Sequence, residues 1–79
     1  MKSEKTPIGN ISSVADIGKF VAARRKKQGL TQADLAGLSG CGLRFIGELE
    51  RGKGTLQADK VLQVIRLLGL DVVLTERRQ

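Results

Sequence analysis

The stretch TQADLAGLSGCGLRFIGELERGK, residues 31–53, combines apolar residues at helical spacing with glycines that a continuous helix disfavours. Glycine in a helix interior costs about 1 kcal/mol relative to alanine. The pattern therefore predicts two short helices joined by a tight turn. Thr31 is suited to cap the first of these helices, with Asp34 in the acidic place of a capping box. Gly40 is expected to end it in the left-handed conformation, where a non-glycine residue would cost about 1 kcal/mol or more.

The residues around this turn have the spacing of a helix-turn-helix motif. Counting from Gln32, the motif requires a hydrophobic residue at the fourth place, a small one at the fifth and glycine at the ninth. It also requires hydrophobic residues at the tenth, fifteenth and eighteenth places. Ala36 is expected to be small because the next helix crosses close above it, and Cys41 is expected to plug the turn as a small hydrophobic residue. The required places are filled by Leu35, Ala36, Gly40, Cys41, Ile46 and Leu49.

Helical patterns continue on both sides of the motif. A first helix is predicted over residues 14–28, capped by Ser12 or Ser13, and a fourth over residues 57–68. Glycine follows each of them, as is common at helix ends. The predicted core residues are Val14, Ile17, Gly18 and Val21 in the first helix, Leu35 and Ala36 in the second, Phe45, Ile46 and Leu49 in the third, and Ala58, Val61, Leu62, Ile65 and Leu68 in the fourth.

The two ends of the chain have different patterns from its helical centre. The first residues are polar and lack clear periodicity, which predicts a flexible arm. The run LDVVLT alternates Leu70, Val72 and Leu74, which predicts one β-strand. The predicted organisation is a flexible N-terminal arm at 1–13, a helix-turn-helix domain at 14–69, a dimerising strand at 70–75 and a basic tail at 76–79.

Composition limits the class of protein. The 79 residues suffice for one small domain, which buries only about 60% of its unfolded surface, so a partner chain is expected. Lys and Arg outnumber Asp and Glu by 14 to 8, and the net charge of +6 suits nucleic acid or anionic lipid, although charge alone is equally typical of a domain that it merely keeps soluble. One cysteine and no histidine exclude an internal disulfide, the usual Cys/His zinc sites and Ser-His or Cys-His catalytic pairs. We therefore expect no enzyme activity, no metal and no cofactor.

No part of the sequence has the pattern of a membrane or export segment. The longest apolar runs, such as VLQVI and LLGL, are far too short to span a bilayer. The pattern of charged start, apolar run and small cleavage site that marks a signal peptide is absent. We therefore expect a cytoplasmic protein with no membrane partner.

Residues 17–68 resemble the Cro/repressor-like domain of lambdoid phages, also called the XRE family. The resemblance rests on the segments GLTQADLAGLSG, FIGELERGK and DKVLQVIRLLGLDVVL and on the arginine-rich helix before them. Within the family the chain is most similar to the HipB-like antitoxin branch, in which a strand directly follows the last helix. The resemblance implies a mainly α fold, a four- to five-helix lambda-repressor-like DNA-binding domain with a C-terminal β-strand that pairs across a dimer.

The same resemblance assigns structural and DNA-contacting roles to particular residues. Arg25 and Glu50 are similar to the pair that joins the first helix to the end of the third, although a solvated surface pair is the alternative. Base contacts are assigned to the first turn and outer face of the third helix, namely Leu43, Arg44, Gly47 and Glu48. Phosphate contacts are assigned to Thr31, Gln32, Gly42 and Lys53.

Three of these positions depart from the family pattern. Gly42 replaces the usual capping Ser or Thr, whose hydroxyl could also have met a phosphate. Leu43 replaces a polar base reader and leaves only apolar contact, such as with a thymine methyl. Gly47 either weakens the helix locally without a purpose or allows close approach to the groove or to a neighbouring chain. Arg44 is then the residue suited to bidentate reading of guanine, and Glu48 either accepts from cytosine or discourages wrong sites by repulsion.

The predicted strand has no convincing partner within the chain, and a lone strand leaves its backbone donors and acceptors unpaired. Pairing with the same strand of a second copy across a two-fold axis would satisfy them, and the HipB-like resemblance implies the same homodimer. Such a dimer places two recognition helices about 34 Å apart, facing successive major grooves of a palindromic operator. The alternative is pairing with the N-terminal arm, in which residues 8–11 are a weak candidate.

The leading hypothesis for function is a dimeric, sequence-specific DNA-binding repressor. The resemblance implies a second role as the antitoxin of a type II toxin–antitoxin pair, which binds a co-encoded toxin (a HipA-like kinase or another class) and represses their shared operon. The alternatives are a stand-alone phage-type repressor and a protein-interaction module built on a helix-turn-helix scaffold. The basic charge, and Arg44 near the reading face, count against the interaction module.

Overall fold

Four helices form the regular secondary structure of the computed structural model, which describes residues 7–77. The ends of the first and fourth helices lie within one residue of the predicted ones. The mainly helical fold is therefore confirmed. Residues 1–6 of the predicted arm and 78–79 of the predicted tail lie outside the described residues. The helices are α1 (Val14–Lys27), α2 (Gln32–Ser39), α3 (Leu43–Glu50) and α4 (Ala58–Leu67).

Side-chain caps begin α1 and α2. The hydroxyl of Thr31 accepts from the amide of Asp34 at 3.0 Å, and the Asp34 carboxylate accepts from the amide of Thr31 at 2.9 Å. This is the predicted capping box. At α1 the cap is Ser13, whose hydroxyl accepts from the amide of Asp16, while Ser12 donates to the Asp16 carboxylate. These hydrogen bonds hold the pKa of both carboxyls below the ordinary value.

Helices α1, α3 and α4 end in the same way, with a left-handed glycine and two crossed backbone hydrogen bonds. At α4 the amide of Gly69 donates to the carbonyl of Arg66 at 2.9 Å, and the amide of Leu70 donates to that of Ile65 at 3.1 Å. These bonds satisfy carbonyls that would otherwise lack a partner at the helix end. They also bring Leu70 into contact with the core.

The core lies between the helices, with α1 packed on α3 and α2 packed on both α3 and α4. The face of α4 differs from the prediction, because Val64 is completely buried, whereas Ala58 is exposed and Leu62 is 40% exposed. Both sets of positions have helical spacing, and packing against α2 selects one of them. The buried hydrophobic residues are Val21, Leu35, Ala36, Cys41, Ile46, Leu49, Val61, Val64, Ile65 and Leu68.

Residues 70–75 form no β-strand in this structure, so that prediction is wrong for the single chain. Leu70 packs against the core as the residue that closes α4, while Val72 is half-exposed and Leu74 is 94% exposed. A β-ladder requires a second edge, and no strand exists anywhere in residues 7–77 to provide one.

The described part of the N-terminal arm contacts α1 instead of the C-terminal segment. Gly9 lies so close to the ring of Phe20 that a side chain at residue 9 would overlap it. Ile8 lines the same shallow depression as Phe20, although it remains largely exposed. The alternative in which residues 8–11 pair with the C-terminal strand is therefore not what the structure shows.

Candidate nucleic-acid interface

The turn between α2 and α3 contains two glycines at positive φ. Gly40 ends α2 with φ 71°, as predicted, and Cys41 is buried behind it with a free thiol. Gly42 begins α3 with φ 59° and ψ 149°, a conformation that residues with a side chain rarely adopt. The backbone therefore favours glycine at residue 42. This explains why Gly42 stands where the family usually has a capping Ser or Thr.

The first turn of α3 projects from the domain without a side-chain cap. No side chain of residues 7–77 caps the amides at this end of the helix. Leu43 is 55% exposed, and the side chain of Arg44 is 89% exposed. An exposed guanidinium beside free helix amides is a combination suited to the anionic and acceptor-rich surface of DNA.

Glu48 joins two of the predicted DNA-contacting cations. Its Oε2 atom lies 3.3 Å from Nε of Arg44 and 3.2 Å from Nζ of Lys53. Hydrogen bonds and charge from Lys53, and then from Arg44, hold the pKa of the Glu48 carboxyl below its ordinary value. Glu48 is thus ionised at neutral pH and keeps both cations on one side of α3, with only 17% of its own side chain exposed.

Gly47 is buried, although it was predicted to face outward. Its cover is Arg51, the residue after α3, whose guanidinium lies 3.3 Å from the place where a Cβ at residue 47 would sit. Arg51 itself is exposed. The face assigned to Gly47 is therefore occupied by an arginine that the sequence interpretation did not include.

Glu50 links α3 to the two preceding helices. Its two oxygens accept from Nε and Nη2 of Arg25 at 2.7 and 3.0 Å, and Gln32 donates to Oε1 at 2.9 Å. Arg25 also donates to the carbonyl of Leu30 at 2.8 Å and is only 8% exposed. The predicted structural pair is thus confirmed, and the solvated surface pair is not.

The pKa of Glu50 results from opposed effects. Burial alone would raise the pKa of this carboxyl, because it disfavours the charged form. The hydrogen bonds from Arg25 and Gln32 and the positive charge of Arg25 outweigh burial and lower the pKa below 4.5, its ordinary value. The charged network that holds α3 in place is therefore intact at neutral pH.

The structure thus brings some of the predicted contact residues together. Arg44 and Lys53 meet at Glu48, while Gln32 is held at Glu50 instead of being free. Thr31 is exposed and uses its side chain in the capping box. The spacing of Arg44 and Glu48 is a local helix signal, whereas the contacts of Gln32 depend on the tertiary fold.

The chain belongs to the helix-turn-helix domain family, whose model matches residues 16–77. It is similar to an uncharacterized HTH-type transcriptional regulator, y4mF, of Sinorhizobium fredii (strain NBRC 101917 / NGR234). The two are 53% identical over 62 residues, which cover 78% of this chain and 82% of that relative. Among the described residues, no helix is long and apolar enough to cross a membrane.

Proposed function

We propose that this helix-turn-helix protein is a sequence-specific DNA-binding transcriptional repressor. The observation that carries the proposal is the uncapped first turn of α3, which presents an arginine at 89% side-chain exposure within a helix-turn-helix fold. The net charge of +6 favours approach to DNA. The similarity to an HTH-type transcriptional regulator supports the same function.

Base reading is assigned to the exposed part of α3. Arg44 would donate hydrogen bonds from its two terminal nitrogens to the O6 and N7 atoms of guanine, and Leu43 would contact a thymine methyl group. Glu48 keeps Arg44 oriented and has a second oxygen for which no partner occurs among residues 7–77. That oxygen would accept from the amino group of cytosine. Gly47 brings no side chain of its own to this face, and the guanidinium of Arg51 lies over it.

Phosphate contact is assigned to residues around α3 that position the helix without selecting bases. Lys53 lies just beyond the helix with 47% of its side chain exposed. Gly42 directly precedes the amides at the start of α3 that no side chain caps. Thr31 caps α2 and Gln32 is its first residue, although the carboxylate of Asp34 already lies at this helix N-terminus. Gln32 donates to Glu50 and has a second amide hydrogen to offer to a phosphate.

Arg44→Ala and Lys53→Ala test these two roles, because both remove a cation from the same carboxylate. Arg44→Ala is expected to weaken the free energy of binding to the preferred duplex by about 1–3 kcal/mol, and binding to random DNA by much less. Lys53→Ala is expected to weaken binding to both duplexes alike and to lower the salt slope by about one unit for each phosphate that is no longer neutralised. Titrations of labelled duplexes at several salt concentrations measure both effects.

The two variants also serve as controls for each other. Equal losses on preferred and random duplexes for Arg44→Ala would assign this residue to phosphate instead of to a base. An unchanged salt slope for Lys53→Ala would remove Lys53 from the set of phosphate contacts.

The proposed protein is a homodimer that binds a palindromic operator. The C-terminal segments of its two copies pair with each other and hold the dimer together. Support comes from the exposure of Val72, Val73 and Leu74, which are apolar and are 47%, 60% and 94% exposed. The expected β-propensity of this run favours pairing once a second edge is supplied by another copy. The assigned dimer contacts are Leu70, Val72 and Leu74, with Leu70 contributing from the edge of its own core.

Val72→Pro is expected to convert the dimer to a monomer, because proline removes a backbone donor from the middle of the paired segment. Helix content should remain, since residue 72 lies beyond α4. Operator affinity should fall steeply because a monomer reaches one half-site. Sedimentation at micromolar concentration measures the change, with Val72→Thr as a β-branched control. A monomeric wild type, or a dimeric proline variant, would contradict this mode of pairing.

The antitoxin role is the most specific part of the proposal and rests on the resemblance to the HipB-like branch. In that role the protein binds a co-encoded toxin, such as a HipA-like kinase, and represses their shared operon. Co-purification with the product of the neighbouring gene discriminates this role from that of a stand-alone phage-type repressor. A protein-interaction module would show partner binding without any preference among duplexes.

A further inference from the structure

Gly47 and Arg51 form one surface on the outward face of α3. Three guanidinium atoms of Arg51 surround the position that a Cβ of residue 47 would occupy: Nη1 at 3.3 Å, and Cζ and Nη2 both at 3.9 Å. The guanidinium therefore lies against the bare backbone of Gly47. This contact explains how a residue on the outward face of α3 becomes buried.

Helix geometry accounts for the contact. Residues four apart lie on the same helix face, and helical side chains lean toward the N-terminus, so a side chain at 51 covers the surface of residue 47. Arg51, the residue directly after α3, keeps a right-handed backbone with φ −85° and ψ −4°. A side chain at residue 47 would compete for the same space.

Arg51 differs from the other two cations of this region in its charge partners. Arg44 and Lys53 both pair with Glu48, whereas Arg51 forms no ion pair with any of residues 7–77. Its charge is thus available to an external acceptor without the breaking of an internal bond. Its guanidinium lies against Gly47, in the middle of α3.

We propose that Arg51 is a second base-reading arginine. Gly47, which has no side chain, leaves the space in which the guanidinium of Arg51 lies on the DNA-reading face of α3. The proposal rests on the proposed DNA-binding function and deepens it. The ligand is the edge of a guanine in the major groove, which accepts two hydrogen bonds from a planar guanidinium. Gly47 then has a purpose other than local weakening of the helix, because it makes room for this side chain.

Arg51→Ala and Arg51→Lys test the proposal on the full chain, with duplexes selected from a random library as the probe. Arg51→Ala is expected to lower affinity for the preferred duplex about 10- to 100-fold and to relax the preference at one base pair. Arg51→Lys keeps the charge but lacks the planar fork, so it should retain affinity for random DNA and lose the same preference. Arg66→Ala is the matched control, because it removes an exposed arginine from α4.

Gly47→Ala tests the role of the space at residue 47 without changing Arg51. Its Cβ would lie 3.3 Å from Nη1 of Arg51, so the guanidinium must shift. We expect the variant to melt no lower than the wild type, since alanine favours a helix, and to change the preference at the base pair that Arg51→Ala relaxes. A variant with raised stability and unchanged preference would show that Gly47 is only a weak point of the helix.

The outcomes separate this inference from the function on which it rests. If the wild type discriminates among duplexes but Arg51→Ala behaves like Arg66→Ala, the inference fails and the DNA-binding function stands. An equal loss on preferred and random duplexes assigns Arg51 to phosphate contact and also overturns the inference. If the wild type has no preferred duplex, both proposals are overturned.

Discussion

Glu50→Ala is expected to lower the free energy of unfolding by about 3 kcal/mol, at the low end of the range for breaking a buried ion pair. The guanidinium of Arg25 would lose two hydrogen bonds, at 2.7 and 3.0 Å, while remaining 8% exposed. The carbonyl of Leu30 would then be its remaining hydrogen-bond acceptor among the described residues. The low end of the range applies because both side chains of the pair retain some contact with solvent.

Glu48→Ala is the matched control, since it removes a carboxylate from the same helix. Its partners, Arg44 and Lys53, are exposed, so the denaturation midpoint should hardly change. Denaturant titration of both variants measures the difference. Similar small losses for the two would mean that Arg25 and Glu50 act as a solvated surface pair.

The same network makes stability depend on pH. The pKa of Glu50 is below its ordinary value of 4.5, so ionisation of this group stabilises the fold above that pH. The contribution is lost as the pH falls through the lowered pKa of the folded state. We therefore expect stability to decrease in acid below about pH 4.5, and to decrease less steeply in Glu50→Gln. The lowered pKa values of Asp16, Asp34 and Glu48 leave a residual slope in that variant.

Gly18→Ala is expected to lower the free energy of unfolding by about 3 kcal/mol, at the upper end of the range for overpacking a core. Gly18 lies where α1 crosses the last turn of α3, and a Cβ there would overlap the carbonyl oxygen of Leu49 and lie 3.0 Å from that of Glu50. Both are backbone atoms, which cannot rotate away as a flexible side chain can. Relief would require α1 and α3 to separate, which would also strain the Arg25–Glu50 pair.

Gly37→Ala provides the control for this change. Gly37 lies inside α2 with open space around the position of its missing Cβ. Alanine there should stabilise the protein by about 0.5–1 kcal/mol through helix propensity alone. Thermal melting of the two variants measures the contrast. Stabilisation by Gly18→Ala as well would show that the crossing of α1 and α3 is wider than the structure indicates.

Features set by neighbouring residues could be predicted from the sequence. The capping box of Thr31 and Asp34 and the left-handed Gly40 depend on spacings of a few residues, and the structure contains both. The four helices follow from the same kind of local signal. The Arg25–Glu50 pair was predicted through the family resemblance, because the sequence separation between the two residues carries no local pattern.

Features set by packing could not be predicted in this way. Helical spacing admits either Leu62 or Val64 on the core face of α4, and only contact with α2 selects Val64. The positive φ of Gly42 depends on how two helices meet at the turn. The cover that Arg51 gives to Gly47 depends on a rotamer, although the four-residue spacing could have suggested it. A strand at residues 70–75 requires an edge that the single chain does not contain within residues 7–77.

The proposed function requires that the exposed face of α3 read a DNA sequence. The most direct test is the affinity of the purified protein for a duplex selected from a random library, compared with a scrambled duplex of the same composition at one salt concentration. The proposed function predicts a preference of at least about 1,000-fold, with two related half-sites about one helical turn apart in the selected sequence. Equal affinity for the two duplexes would contradict it.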